Sequence, residues 1–151
     1  MPAAPTDSAW TRGLFRARLW LNARLLPMRI AGKDFATILA MFEPSGPART
    51  PHWPLAYLER SVRWAVRGPI LMRDRRCLRS GLLGYAALKE AGYAPELRFS
   101  VDRKSVATER LAAHCWVCVD GVPVINQPLP DHVVVYNHPA APRNASGETA
   151  A

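Results

Sequence analysis

Cysteine is scarce in this chain: three among 151 residues, an odd number. That excludes a disulfide-stapled secreted scaffold and points to reduced thiols in a cytoplasmic protein. The opening residues, MPAAPTDSAW, lack the basic start and apolar run of a signal peptide. No uninterrupted apolar stretch approaches the roughly 18 to 20 residues that a spanning helix needs. A metal site is excluded on similar grounds. One Cys-x-x-Cys pair exists, Cys115 and Cys118, and no second pair stands anywhere to complete four ligands. No resident cofactor is expected. Acidic residues are also in deficit, 12 against 20 Lys and Arg, a formal charge of +8. The excess suits an acidic partner or a solvated basic surface. Aromatic and basic residues do not interleave as in a nucleic-acid groove, so no nucleic-acid partner is expected.

What is present suffices for one domain. Apolar residues make up 49%, and the 14 prolines gather in FEPSGPARTPHWP and HPAAPRNASGETAA. The first part reads as helical. Asp7 or Ser8 caps a helix carrying Trp10, Leu14, Ala17, Leu21 and Leu25 on its inner face, ending before Pro27. The stretch KDFATILAMF buries Phe35, Ile38, Leu39 and Phe42. A Pro-rich segment, Pro44 to Pro54, leads to a helix with Leu55, Leu58, Val62 and Ala65 inside. After the loop PILMRDRR, a helix opens at Cys77 and closes at Gly92, with Leu78, Leu82, Tyr85, Ala86 and Leu88 on its apolar face. The period then changes to two. ELRFSV, LAAHCWVCV, VPVIN and HVVVY read as strands, Asp120-Gly121 as a hairpin turn, and Pro123 as an edge or bulge residue. Helices followed by an antiparallel sheet give an α+β fold. Residues 1–53 form a helical region packed on a core of 54–138, and 139–151 a disordered tail.

In a strand, Cys115 and Cys118 point to opposite faces, so they share neither a metal nor a disulfide and read as small apolar residues. Cys77 differs. Free N–H groups at a helix start, with Arg75, Arg76 and Arg79 nearby, favour its thiolate, and His114 on a central strand is the candidate base. On the residues alone, a buried structural cysteine and a satisfied core histidine remain the competing readings.

Together the segments RRCLRSGLLGYAALKEAGYAPELRFSV and AAHCWVCVDGVPVIN resemble the leader-processing cysteine proteases of lasso-peptide biosynthesis. These belong to the transglutaminase-like, papain-related superfamily. The family pattern is Cys-Leu-x-Arg-Ser at a helix start, then Ala-His-x-Trp-Val-x-x-Asp-Gly. Cys77, Leu78, Arg79 and Ser80 follow the first with one residue dropped. Ala113, His114, Trp116, Val117, Asp120 and Gly121 match the second. The resemblance runs from about Tyr57 to Pro128. It implies a transglutaminase-like core in which Cys77 attacks the leader–core carbonyl and His114 moves the proton. The family's third member is an aspartate where this chain has Asn126, with Asp120 the alternative. On that reading Asn126→Asp preserves or raises the rate. The implied partners are a lasso precursor peptide, a separate winged-helix leader-recognition protein, and the macrocyclising synthetase as a further candidate. Acyl transfer by the same triad, or a non-catalytic basic binding module, are the competing functions.

Overall fold

The computed structural model describes residues 7–46, 50–67, 75–108 and 111–139. Four helices, α1 (Ala9–Ile30), α2 (Phe35–Met41), α3 (Leu55–Ala65) and α4 (Arg76–Glu90), precede four strands. The strands are β1 (Pro95–Asp102), β2 (Ala113–Val119), β3 (Val122–Ile125) and β4 (His132–His138), with a short 3-10 turn at Ser105–Ala107. They form one antiparallel sheet in the order β3-β2-β1-β4. The α+β expectation holds. The tail beyond Pro139 and most of the PILMRDRR loop lie outside the described residues.

Local chemistry sets the boundaries. The Ser8 hydroxyl accepts from the Thr11 N–H at 3.1 Å to start α1, and the Asp34 carboxylate accepts from the Thr37 N–H at 2.9 Å to start α2. Helix α4 stops at Gly92, whose φ of 82° lets its N–H return to the Lys89 carbonyl. Asp120 and Gly121 both have positive φ, 50° and 78°, as a two-residue turn of the primed kind requires, and Val119 pairs with Val122 across it. Pro123 sits on the edge strand β3, beside a register shift.

The inner face of α1 is not the one that periodicity suggested. Phe15, Leu19, Ala23, Leu26 and Ile30 are buried, while Trp10, Leu14, Leu21 and Leu25 are exposed. Both stripes repeat at helical spacing, so apolar spacing alone could not choose between them. Phe15 decides it by packing on Trp53 and Tyr57, with ring centroids 5.0 and 6.3 Å away. Trp53, from the Pro-rich segment, is 1% exposed, and its indole N–H donates to Asp7. Pro27 lies inside the helix rather than beyond it. In α2, Leu39 and Phe42 are buried as expected, but Phe35 is exposed and Ile38 half-buried. Both instead line the cleft described below.

Helix α4 is the central element, buried from Arg79 to Tyr85 and again at Ala87 and Leu88. It lies close on the sheet because two of its turns carry glycine. A Cβ at Gly84 would stand 2.7 Å from Ile125 Cγ1, and one at Gly81 2.9 Å from Cys115 Sγ. Gly84→Ala should therefore cost about 1–3 kcal/mol by forcing α4 off β3. Gly13, in α1, has nothing within 4 Å of its Cβ position. Gly13→Ala should add about 0.5–1 kcal/mol instead. Urea denaturation of the two variants tests this pair, and equal midpoints would contradict it.

Candidate active site

Strand β3 pairs with β2 only between Val117 and Val119, and stops at Ile125. Beyond that point the outer main-chain groups of Cys115 have no strand partner. The first turn of α4 and the chain leaving β3 fill the gap, and Cys77, His114, Cys115 and Asn126 converge there. Asn126 leaves the strand with φ 59°, a left-handed conformation that asparagine tolerates.

Cys77 lies in the first turn of α4, where its N–H has no intrahelical acceptor and the helix dipole is positive. It is half-buried and opens onto a cleft of about 400 Å³. Its pKa is lowered to about 5. The largest cause is a hydrogen bond from the Cys115 thiol, opposed by burial, then a hydrogen bond from His114, the Cys115 N–H and the His114 charge. Burial and the donation to Cys77 push Cys115 itself upward. The Cys115 sulfur also lies 3.2 Å from the Cys77 carbonyl oxygen.

His114 is the second residue of β2, with its Nε2 2.7 Å from the carbonyl oxygen of Gln127. A carbonyl only accepts, so Nε2 carries the proton and Nδ1 is the nitrogen left for Cys77. The ring stacks on Trp116, with centroids 6.1 Å apart, and His132 stands edge-on at the same distance.

Asn126 is brought to this site but not to His114. Its Nδ2 donates to the carbonyls of Cys77 (3.1 Å) and Cys115 (2.9 Å), and its Oδ1 accepts from the Ser80 hydroxyl at 2.9 Å. The amide thus ties α4 to β2. Asp120 is exposed in the hairpin turn at the far end of β2, about 20 Å of strand from His114. Neither expected third member holds the ring; a main-chain carbonyl does. Nothing in the side-chain pattern could have marked Gln127, because a carbonyl is common to every residue.

The Cys115–Cys118 pair is divided as expected. Cys115 packs in the helix-facing cluster with Val117 and Val119, and Cys118 lies outside that cluster. Among the described residues, no group of three or more His, Cys, Asp or Glu side chains is arranged to hold a metal. No helix is long and apolar enough to cross a membrane among the described residues. Cys115, read from the sequence as inert packing, is instead the main partner of Cys77.

Two walls of the cleft are apolar. Phe35 from α2 meets Phe99 of β1 edge-on at 4.9 Å and Tyr136 of β4 at 5.5 Å, with Ile38, Leu78 and Leu111 nearby. Arg75 also lines the cleft. A nucleophilic thiolate, an oriented imidazole, a helix N-terminus and an apolar trough together provide what acyl chemistry on a peptide requires.

The low Cys77 pKa has a measurable consequence. Its thiolate should persist at neutral pH and be lost as pH falls through about 5. In Cys115→Ala the largest stabilising hydrogen bond is gone, and the midpoint should move up toward the ordinary thiol range. The pH profile of iodoacetamide alkylation at Cys77 reads this directly. Superimposable profiles would remove Cys115 from the role.

A family model described as the transglutaminase-like superfamily matches residues 20–137. No curated protein and no solved structure matches the chain.

Proposed function

Since this chain belongs to the transglutaminase-like superfamily, we propose that it is a cysteine peptidase that removes the leader from a ribosomally made lasso-peptide precursor. The observation that carries the peptidase reading is that Cys77 and His114 line one cleft, with His114 Nε2 fixed by the Gln127 carbonyl. The resemblance around Cys77 and His114 to leader-processing proteases supports the choice of substrate.

Cys77 Sγ attacks the carbonyl carbon at the leader–core junction, and the tetrahedral oxyanion develops beside the free N–H groups of α4. Imidazolium His114 gives its Nδ1 proton to the departing amine of the core peptide. A thioester to the leader remains. Water then attacks it, His114 Nδ1 takes the water proton, and the leader carboxylate leaves as Cys77 is restored to its thiolate. Through both steps Nε2–H stays on Gln127, which prevents the ring from flipping. The main-chain acceptor supplies orientation without the full charge of an aspartate. The aromatic pair Phe35 and Phe99 in the cleft lining suits an apolar side chain next to the cut.

A separate leader-recognition protein of the winged-helix kind supplies leader affinity in this scheme, and the macrocyclising synthetase takes the released core. The whole sequence operates in the cytoplasm, where the thiols stay reduced. Incubating the protein with a precursor peptide, with and without the recognition protein, tests the proposal by product mass. Leader and core together gaining one water supports hydrolysis. A joined product lacking ammonia would replace it with acyl transfer. Full cleavage without the recognition protein would remove that partner. Binding to any duplex with steep salt dependence, and no cleavage, would favour the binding module.

A further inference from the structure

Two thiols stand together at this site, and peptide cleavage as outlined consumes only one. The Cys115 sulfur lies 3.2 Å from the carbonyl oxygen of Cys77, and its thiol helps hold the Cys77 pKa down. Cys115 is 2% exposed, and it occupies space that exists only because Gly81 has no side chain. Both cysteines are free and border the cleft, Cys77 half-buried and Cys115 almost wholly covered. The half-buried, ionised thiol is the one an oxidant meets first, while the buried, protonated one waits behind it.

We propose that Cys77 and Cys115 are a reversible redox pair, closing to a disulfide when a hydroperoxide oxidises Cys77. The Cys77 thiolate attacks the distal peroxide oxygen; an S–O bond forms, the O–O bond breaks, and the departing alkoxide or hydroxide takes a proton. Sulfur has given two electrons and is now a sulfenic acid. Oxidation also removes the negative charge to which Cys115 had been donating, one of the causes that held its proton. The Cys115 sulfur then attacks Cys77; the S–S bond forms as the S–O bond breaks, and hydroxide leaves with the Cys115 proton as water. Reduction by a small dithiol restores both thiols. The disulfide silences the nucleophile and keeps it from sulfinic acid, which thiols do not reverse. Cys118, on the other face of β2, takes no part. The proposal rests on Cys77 being the ionised thiol of the peptidase site, and not on which peptide is cut.

The test uses the full chain treated with equimolar hydrogen peroxide, then alkylated, digested without reductant and mapped by mass. A peptide joining Cys77 to Cys115, lighter by two hydrogens, with Cys118 still alkylated, is the expected product. Leader cleavage should fall at least about tenfold and return with dithiothreitol, since only the thiolate is nucleophilic. In Cys115→Ser, peroxide raised to several equivalents should drive Cys77 through sulfenic to sulfinic acid, which takes two peroxides per sulfur, with a loss that dithiothreitol does not repair. Oxygen accumulating on Cys77 of the unsubstituted chain without a cross-link would overturn the proposal, as would a bond to Cys118 or between chains. Should Cys115→Ser not fold, the map of the unsubstituted chain decides alone. A cross-link in a protein that never cleaves a precursor would sink the peptidase reading and leave the pair standing.

Discussion

Cys77→Ala should abolish the proposed release of the core peptide while leaving the fold in place. The loss should be on the order of 10⁴-fold or more, because removing a nucleophile leaves only what binding and oxyanion donors provide. Stability should change little. Cys77 is half-buried, and its carbonyl, which accepts from Asn126 and so holds the turn, is retained in alanine. The thiol of Cys115 loses an acceptor at sulfur but keeps the carbonyl at 3.2 Å. Matching circular dichroism and melting curves, beside a null cleavage assay, is the expected pair of results. His114→Ala should lose activity to a comparable degree, with Cys77 alkylating more slowly near neutral pH as its His114 hydrogen bond disappears. Cleavage by Cys77→Ala at the unsubstituted rate would end the protease reading.

Much of this arrangement was legible from residue order, and the parts that were not share a physical reason. Cys77 at a helix start, Gly92 at its end and Asp120-Gly121 in a primed turn are local signals, each set by backbone conformations that few residues favour. The strand alternation that separates Cys115 from Cys118 is equally local. The inward face of α1 is not local. Trp10, Leu14, Leu21 and Leu25 repeat as regularly as Phe15, Leu19, Ala23 and Leu26, and only the aromatic partners Trp53 and Tyr57 select the second set. Phe35 and Ile38 fit a buried helix face equally well, yet they wall a cleft that depends on where β1 and β4 lie. The third group at the site is harder still. A motif offers side chains, whereas His114 is held by the carbonyl of Gln127, which the chain delivers only because β3 stops short of β2. The same early stop leaves the N–H and carbonyl of Cys115 open to Cys77 and Asn126.

Asn126→Asp separates a catalytic role for that residue from a positioning one. If Asn126 oriented the imidazole, a carboxylate in its place would preserve or raise the rate. Its hydrogen bonds predict the reverse. Nδ2 gives one proton to the Cys77 carbonyl and the other to the Cys115 carbonyl, and the acceptor side is filled by Ser80. An aspartate keeps the bond from Ser80, loses both donors, and sets a negative charge against two carbonyl oxygens. The two lost part-buried hydrogen bonds cost about 1–3 kcal/mol together, a fall of roughly 6 °C in Tm. Asn126→Ala loses the same donors without the added charge and should be destabilised less than the aspartate at neutral pH. Acidification should narrow the gap between the two, because a protonated carboxyl regains one donor. Activity should fall in both variants in step with the loosened first turn of α4, without the alkylation midpoint of Cys77 returning to the ordinary thiol range, since the Cys115 and His114 hydrogen bonds to the sulfur do not pass through Asn126. An Asn126→Asp protein that melts normally and cleaves faster would restore the residue to the side of His114.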